Sequence, residues 1–217
     1  MFAVEEGRVE VLPEHRSAEA FRLYRDLKQR RAVVGMLTFP NAILLRGPRT
    51  MVVDPGLSLQ NQPLLGALAA RGLSPADVDL VALTHAHPDH AAACAELDRQ
   101  VALHELEIGS GHWPAVAGVL DRRRLVRLRG ERGELAPGVR WLRTPGHTEG
   151  SVCYLVDTDG GLAALVGDTV GPLREPFDAM TPPDGTAWGR RLLAAWHEIR
   201  SEKPDLIVAG HLPPFAP

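Results

Sequence analysis

Between Thr84 and His90 the chain reads T-H-A-H-P-D-H, which puts three imidazoles and a carboxylate within six consecutive positions. Side chains of these types, so crowded, repel one another or go unpaired unless something binds them together. Coordination of a metal ion is the usual way that cost is offset. His85 and His87 are two apart, so on an extended segment they point to the same side. Pro88 ends that extension, and Asp89 and His90 follow on the turn that opens a helix. A lone histidine at a strand end is usually a packing or solvated residue. H-x-H-x-D-H as a unit reads as a metal site.

Three other apolar runs end in the same way. Val139 to Leu142 leads to Pro145-Gly146-His147, Leu162 to Val166 leads to Gly167-Asp168, and Leu206 to Ala209 leads to Gly210-His211. Together with Leu80 to Leu83 leading to His85, four strands deliver His or Asp at their carboxyl ends. Glycine permits the tight turn and close backbone approach such a site needs. In layered α/β folds the carboxyl ends of strands gather at one edge, where ligands bind. Five histidines and two carboxylates suit two Zn²⁺, or comparable Fe or Mn ions, with positions left for water and substrate. Two ions roughly 3.5–4 Å apart can share a hydroxide, because binding lowers the pKa of water towards about 7. Asp89 is placed to orient that hydroxide or relay its proton, which makes it the catalytic candidate. Asp54 and Thr84 are candidates for hydrogen bonds that fix the ligand histidines from behind. His15, His104, His112 and His197 have no motif around them and read as surface or packing residues.

The elements that must position these groups follow from the patterning. Val9 to Leu12 reads as a first strand, and Glu19 to Arg30 as a short helix. Apolar runs at Ala32 to Phe39 and Asn41 to Leu45 are broken at Pro40-Asn41, and turn chemistry at Gly47-Pro48 pairs the second with Met51 to Val53 as a hairpin. Leu64, Leu65, Leu68 and Leu73 recur at helical spacing, and Ser74-Pro75 with Asp77 opens another short helix. Ala91 to Leu97 reads as one helix leaving the metal motif. Thr186 to Glu202 is the best helix, with Trp188, Leu192, Trp196 and Ile199 as its core stripe. Hairpins first, then strands alternating with helices, argue two sheets sandwiched between helices.

Composition narrows the function. A chain of 217 residues suits one compact domain over 1–217. Its net charge of −3 gives no general attraction to nucleic acid or to an anionic membrane, so a small-molecule substrate is expected. The locally basic stretch from Arg122 to Arg132 is followed by Glu134 and reads as a solvated hairpin. Cys94 and Cys153 cannot make a disulfide framework and read as buried free thiols. The opening residues do not look like a signal peptide, and no apolar stretch is long enough to span a bilayer, so the expected location is cytoplasmic.

T-H-A-H-P-D-H, P-G-H-T at 145–148, G-D at 167–168 and G-H at 210–211, with Asp54 in D-P-G, together resemble the metallo-β-lactamase superfamily. The resemblance runs from 54 to 211 and keeps the motif order. It implies a four-layer αββα sandwich with the metals at one edge of the two sheets. It also implies that His85, His87 and His147 hold one ion, that Asp89, His90 and His211 hold the second, and that Asp168 bridges them. Ala91-Ala92 stand where glycines are common, which implies tighter helix packing with the ligands kept. The reaction implied is hydrolysis of a small ester, thioester, lactone or related bond by hydroxide shared between two metals.

Nucleases of this superfamily usually add a domain or an RNA-gripping arm, for which this chain has neither room nor basic charge. Glyoxalase II-like thioesterases usually add a carboxyl-terminal segment that grips glutathione, and only six residues follow His211. True β-lactamases often carry cysteine where Asp168 stands. The alternative is a mononuclear iron oxygenase resembling persulfide dioxygenases, built on His85, His147 and Asp168. That would leave Asp89, His90 and His211 without a shared purpose. A non-catalytic binding protein should have lost the ligands. The loops Met36 to Asn41 and Val170 to Trp188 are expected to wall the substrate, with Arg174 a candidate for an anionic group on it.

Overall fold

The computed structural model describes residues 2–5, 8–11, 40–58, 62–120 and 124–217. The helix expected at 19–30, the apolar run at 32–39, His15, most of the 36–41 loop, and Arg122 and Arg123 lie outside them.

Seven strands form the first sheet: β1 (Phe2–Glu5), β2 (Arg8–Val11), β3 (Ile43–Leu45), β4 (Met51–Val53), β5 (Leu80–Ala82), β6 (Val101–His104) and β7 (Leu125–Leu128), in the order β2-β1-β3-β4-β5-β6-β7. β3 and β4 are the hairpin expected at Gly47-Pro48, and β4 to β7 run parallel. Five strands form the second: β8 (Arg132–Ala136), β9 (Val139–Arg143), β10 (Val152–Thr158), β11 (Gly161–Gly167) and β12 (Leu206–Ala209), in the order β12-β11-β10-β9-β8. This sheet is antiparallel except where β12 joins β11 in parallel.

Strand side chains alternate between faces, and β3 to β6 are buried on both, so these four are apolar almost throughout. Leu80 and Ala82 of β5 face inward, where they share a core with Val152, Tyr154 and Val156 of β10 and Leu165 of β11. Val81 and Leu83 face outward onto Leu64 and Leu68 of helix α1 (Pro63–Ala69) and onto Trp113 and Val116. On the far side Cys153, Leu155, Ala164 and Val166 pack against Phe177, Leu192, Trp196 and Ile199. Three apolar layers therefore separate four layers of secondary structure, the αββα sandwich.

Three segments depart from the sequence reading. The stretch leaving the metal motif forms two short helices, α2 (Pro88–Ala91) and α3 (Cys94–Leu97). The break has a cause: the Ala93 amide donates to the Gly56 carbonyl at 2.8 Å, outside the helix, while the Gly56 amide donates to the His90 carbonyl at 3.0 Å. The end of the basic stretch, up to Arg132, is exposed as read but is no hairpin, since β7 lies in the first sheet and β8 in the second, paired with β9. In the long helix, Ala187–Ser201, the Thr186 hydroxyl caps the Gly189 amide, and Leu192, Trp196 and Ile199 are buried. Trp188 is 41% exposed and leaves the stripe. No helix among the described residues is long and apolar enough to cross a membrane.

Candidate metal centre

β5 ends at Ala82, and Leu83 still bonds to its neighbour strand through the Ala102 carbonyl at 2.9 Å. The chain then turns across the sheet edge. Asp54, directly after β4, secures the turn. Its Oδ1 accepts from the Thr84 amide at 2.8 Å, and its Oδ2 accepts from the Thr84 hydroxyl at 2.6 Å and from His90 Nδ1 at 3.0 Å. The Thr84 Oγ1 also stands 3.0 Å from His85 Nδ1. That hydroxyl spends its own proton on Asp54, so His85 Nδ1–H is the donor and His85 Nε2 keeps a lone pair. Asp54 holds a left-handed φ of 48°, which aspartate tolerates better than most residues. Thr84 Oγ1 and Asp54 Oδ2 thus stand against the Nδ1 atoms of His85 and His90.

The four strand ends meet. His85 and His90 are fully buried, with ring centroids 4.2 Å apart. His147, after β9, places Nε2 at 2.9 Å from His87 Nδ1. Asp168, after β11, sets Oδ2 at 3.5 Å from His147 Nε2 and 3.4 Å from His211 Nε2, and Oδ1 at 3.3 Å from His90 Nε2. His211, after β12, stands 3.6 Å from Asp89 Oδ2. Donor atoms of His85, His87, His147 and Asp168 all lie within 4.8 Å of one another, as do those of Asp89, His90 and His211. Asp54 groups with His85 and His90 by the same measure, but its oxygens are already engaged by Thr84 and His90.

The donor set fits divalent cations. His85 Nε2 and His87 Nε2 are buried without a hydrogen-bond partner. Each such atom costs about 1–3 kcal/mol unless something satisfies it, and a cation among them would. Burial holds the His85 imidazolium well below its usual range and brings His147 down to about 4, so both are neutral and ready to ligate. Burial also lowers His87, with His112 adding to the effect. His90 goes the other way. Burial opposes its charge, but Asp54 and Asp168 raise it to about 10. Burial likewise opposes ionisation of Asp168, yet hydrogen bonds from His211 and His90 hold its carboxyl far below the usual range.

Two glycines make room. Gly167 has φ of +50°, and a Cβ there would collide with the Thr84 hydroxyl. A Cβ on Gly210 would collide with Asp168 Oδ1 and His90 Cε1.

Some of the surroundings were not foreseen. His112, read as surface or packing, is exposed, yet its ring lies 4.0 Å from that of His87 at 82°. Nothing in the local sequence signals it. Asn41, expected in a substrate wall, donates through Nδ2 to the carbonyls of Ala209 at 2.8 Å and Leu212 at 2.7 Å, and so braces the His211 turn. Glu107 is a buried carboxylate tied to two ligand-bearing loops. His104 is a packing residue, as read, bonded to the Gly130 carbonyl at 2.9 Å. The loop after Asp168 carries a short helix, Glu175–Asp178, with Phe177 in the core. Arg174 is engaged there: it pairs with Asp178 at 2.7 Å, donates to the Ala216 carbonyl at 3.1 Å and covers the Phe215 ring at 4.3 Å. Its guanidinium thus ties the short helix to the carboxyl-terminal segment.

Two stacked sheets between helices, with imidazoles and carboxylates gathered at their shared edge, define an αββα fold with a candidate metal centre. A family model described as the metallo-β-lactamase superfamily matches residues 35–211, and the chain belongs to that superfamily. Metallo-β-lactamase domain-containing protein 1 of Homo sapiens is 31% identical over 180 residues, 78% of this chain and 60% of that protein. Hydroxyacylglutathione hydrolase of Xanthomonas axonopodis pv. citri is 32% identical over 123 residues, 54% of this chain and 41% of that one. The chain thus spans less than two thirds of the length of each of these two relatives.

Among solved structures, a Thermotoga maritima protein provisionally designated a metallo-β-lactamase superposes with a TM-score of 0.66 at 25% identity, over 86% of this chain and 93% of that one. An N-acyl homoserine lactone hydrolase, with its product at the catalytic metal centre, superposes with a TM-score of 0.65 at 20% identity, over 79% and 82%. At that identity the likeness shows the fold alone. Enzymes of this superfamily bind divalent metal ions, and the cluster of imidazoles and carboxylates described above suits such ions.

Proposed function

We propose that the chain hydrolyses a small ester, thioester, lactone or related carbonyl compound at a pair of divalent ions, zinc foremost. His85, His87 and His147 would hold one ion and Asp89, His90 and His211 the other. Asp168 carries this reading, because one carboxylate reaches His147 and His211 through Oδ2 and His90 through Oδ1. A shared carboxylate between two groups of imidazoles is what a two-ion site requires. An oxygenase using a single iron on His85, His147 and Asp168 would leave the second group idle.

Bound ions supply Lewis acidity, which polarises a carbonyl and lowers the pKa of water towards about 7. The chain's own groups do the rest. Asp54, directly and through Thr84, keeps His90 and His85 in fixed orientations. Asp89, partly exposed and 3.6 Å from His211 Nε2, orients the attacking water and accepts its proton. Support for an acyl substrate comes from the hydroxyacylglutathione hydrolase relative, and support for a small substrate in place of a polyanion from the net charge of −3. Nucleic acid would demand a basic groove neutralising several phosphates. Two buried free thiols, Cys94 and Cys153, support a reducing, cytoplasmic setting.

The test is a panel of small esters, thioesters, lactones and phosphodiesters, with RNA and DNA beside them, presented to the zinc-loaded chain. Turnover of at least one small carbonyl substrate is expected, reversibly abolished by chelation. Nuclease turnover with no small-carbonyl activity would overturn the reading.

A further inference from the structure

Glu107 is fully buried just after β6, in a 3₁₀ turn spanning Glu105–Glu107. Its Oε2 accepts from the Ala86 amide at 2.9 Å. Its Oε1 accepts from the Thr148 hydroxyl at 2.5 Å and the Gly150 amide at 2.9 Å. Ala86 sits between His85 and His87, and Thr148 directly follows His147. All three donors are neutral. A carboxylate is an expensive group to bury among neutral partners, offset here by the three hydrogen bonds that it accepts. What the carboxylate adds is a tie between two loops that the sequence holds far apart. Gly150 lets the tie close, since a Cβ there would lie 2.8 Å from the Glu107 amide nitrogen and Oε1. On the site's side of this tie, His87 Nδ1 and His147 Nε2 come within 2.9 Å.

We propose that Glu107 is a positioning residue of the metal centre, a buried carboxylate that staples the His85–His87 segment to the His147 turn and sets the spacing of one ion's ligands. The proposal rests on reading His85, His87 and His147 as ligands of a single ion. The hydrogen bonds of Glu107 go to Ala86, Thr148 and Gly150, beside His85, His87 and His147, so its influence falls on that one of the two sites. Supporting contacts of this kind tune metal affinity by about 10- to 100-fold.

The discriminating variant is Glu107→Gln. It keeps the shape but turns one acceptor into a donor, which then faces either the Ala86 or the Gly150 N–H. Metal-free parent and variant, as full chains, would be titrated with Co²⁺ and followed by visible absorbance and calorimetry. Thermal unfolding of both metal-free chains would be recorded alongside. The expected result is an affinity loss of about ten-fold or more at one site with an altered Co²⁺ spectrum, the other site staying within about three-fold. Equal affinities and spectra in parent and variant would overturn the proposal. So would an equal loss at both sites accompanied by a lower unfolding temperature, because that marks a merely structural role. Should Glu107→Gln not fold, Thr148→Val removes only the hydroxyl donor. A smaller loss at the same single site then supports the staple, and an unchanged titration overturns it. A parent chain that takes up no Co²⁺ overturns the ligand assignment itself, and the staple with it.

Discussion

Asp54 and His90, 36 residues apart in sequence, meet at 3.0 Å between Oδ2 and Nδ1. The same oxygen accepts the Thr84 hydroxyl that supports His85, so one carboxylate orients two imidazoles. Asp54→Asn replaces one acceptor with a donor in that network. Loss of such support costs about 10- to 100-fold in metal affinity, read by calorimetric zinc titration. Unchanged affinity would remove Asp54 from the role.

Asp168 reaches both groups of imidazoles, whereas His147 and His211 each belong to one. Elemental analysis of zinc-loaded variants should therefore find one ion retained in His147→Ala and in His211→Ala. Asp168→Ala should lose the most metal. If it keeps the parent's content, the sharing role is wrong.

Gly210→Ala should abolish tight binding at the Asp89, His90 and His211 group while the chain still folds, because its methyl would press on Asp168 and His90. Gly171→Ala is the control, since a Cβ there meets nothing within 4 Å. Equal metal content in the two variants would count against the crowding argument.

Burial pushes the thiols of Cys94 and Cys153 well above the usual range. A raised thiol pKa means less thiolate at any pH below it, and thiolate is the reactive form. At pH 8 a disulfide reagent such as DTNB should release no chromophore from the folded chain, and two equivalents after denaturation. Rapid reaction of either thiol in the folded chain would contradict the burial.

Trp196 is 1% exposed and donates through Nε1 to the Thr169 carbonyl at 2.6 Å, directly after Asp168. Trp196→Ala should cost about 3–5 kcal/mol in urea unfolding. Trp188→Ala, on the exposed end of the same helix, should change stability by about 0.5 kcal/mol or less. Comparable losses would mean that Trp188 is covered in solution.

The contrast between these two tryptophans shows where local pattern stops being informative. Helical spacing puts both on one stripe, but only tertiary packing decides that the second sheet covers Leu192, Trp196 and Ile199 and ends short of Trp188. The helix break at Ala93 has the same character, since the carbonyl that draws its amide away belongs to Gly56 in another loop.

The sequence by itself determined the two-sheet plan, because strands buried on both faces must be apolar throughout and their runs stand out. It also determined which side chains would gather, because each leaves a strand's carboxyl end behind a glycine or within H-x-H-x-D-H. Those signals are local, written within a few residues of each ligand. Only the tertiary structure decided what holds the ligands in place. Glu107 takes its partners 21, 41 and 43 residues away, and Asn41 grips a carbonyl 168 residues on. His112 reaches His87, and Arg174 turns to Phe215, by the same kind of closure. Hydrogen bonds between distant segments leave no periodicity in the chain, because their geometry exists only once the sheets have stacked.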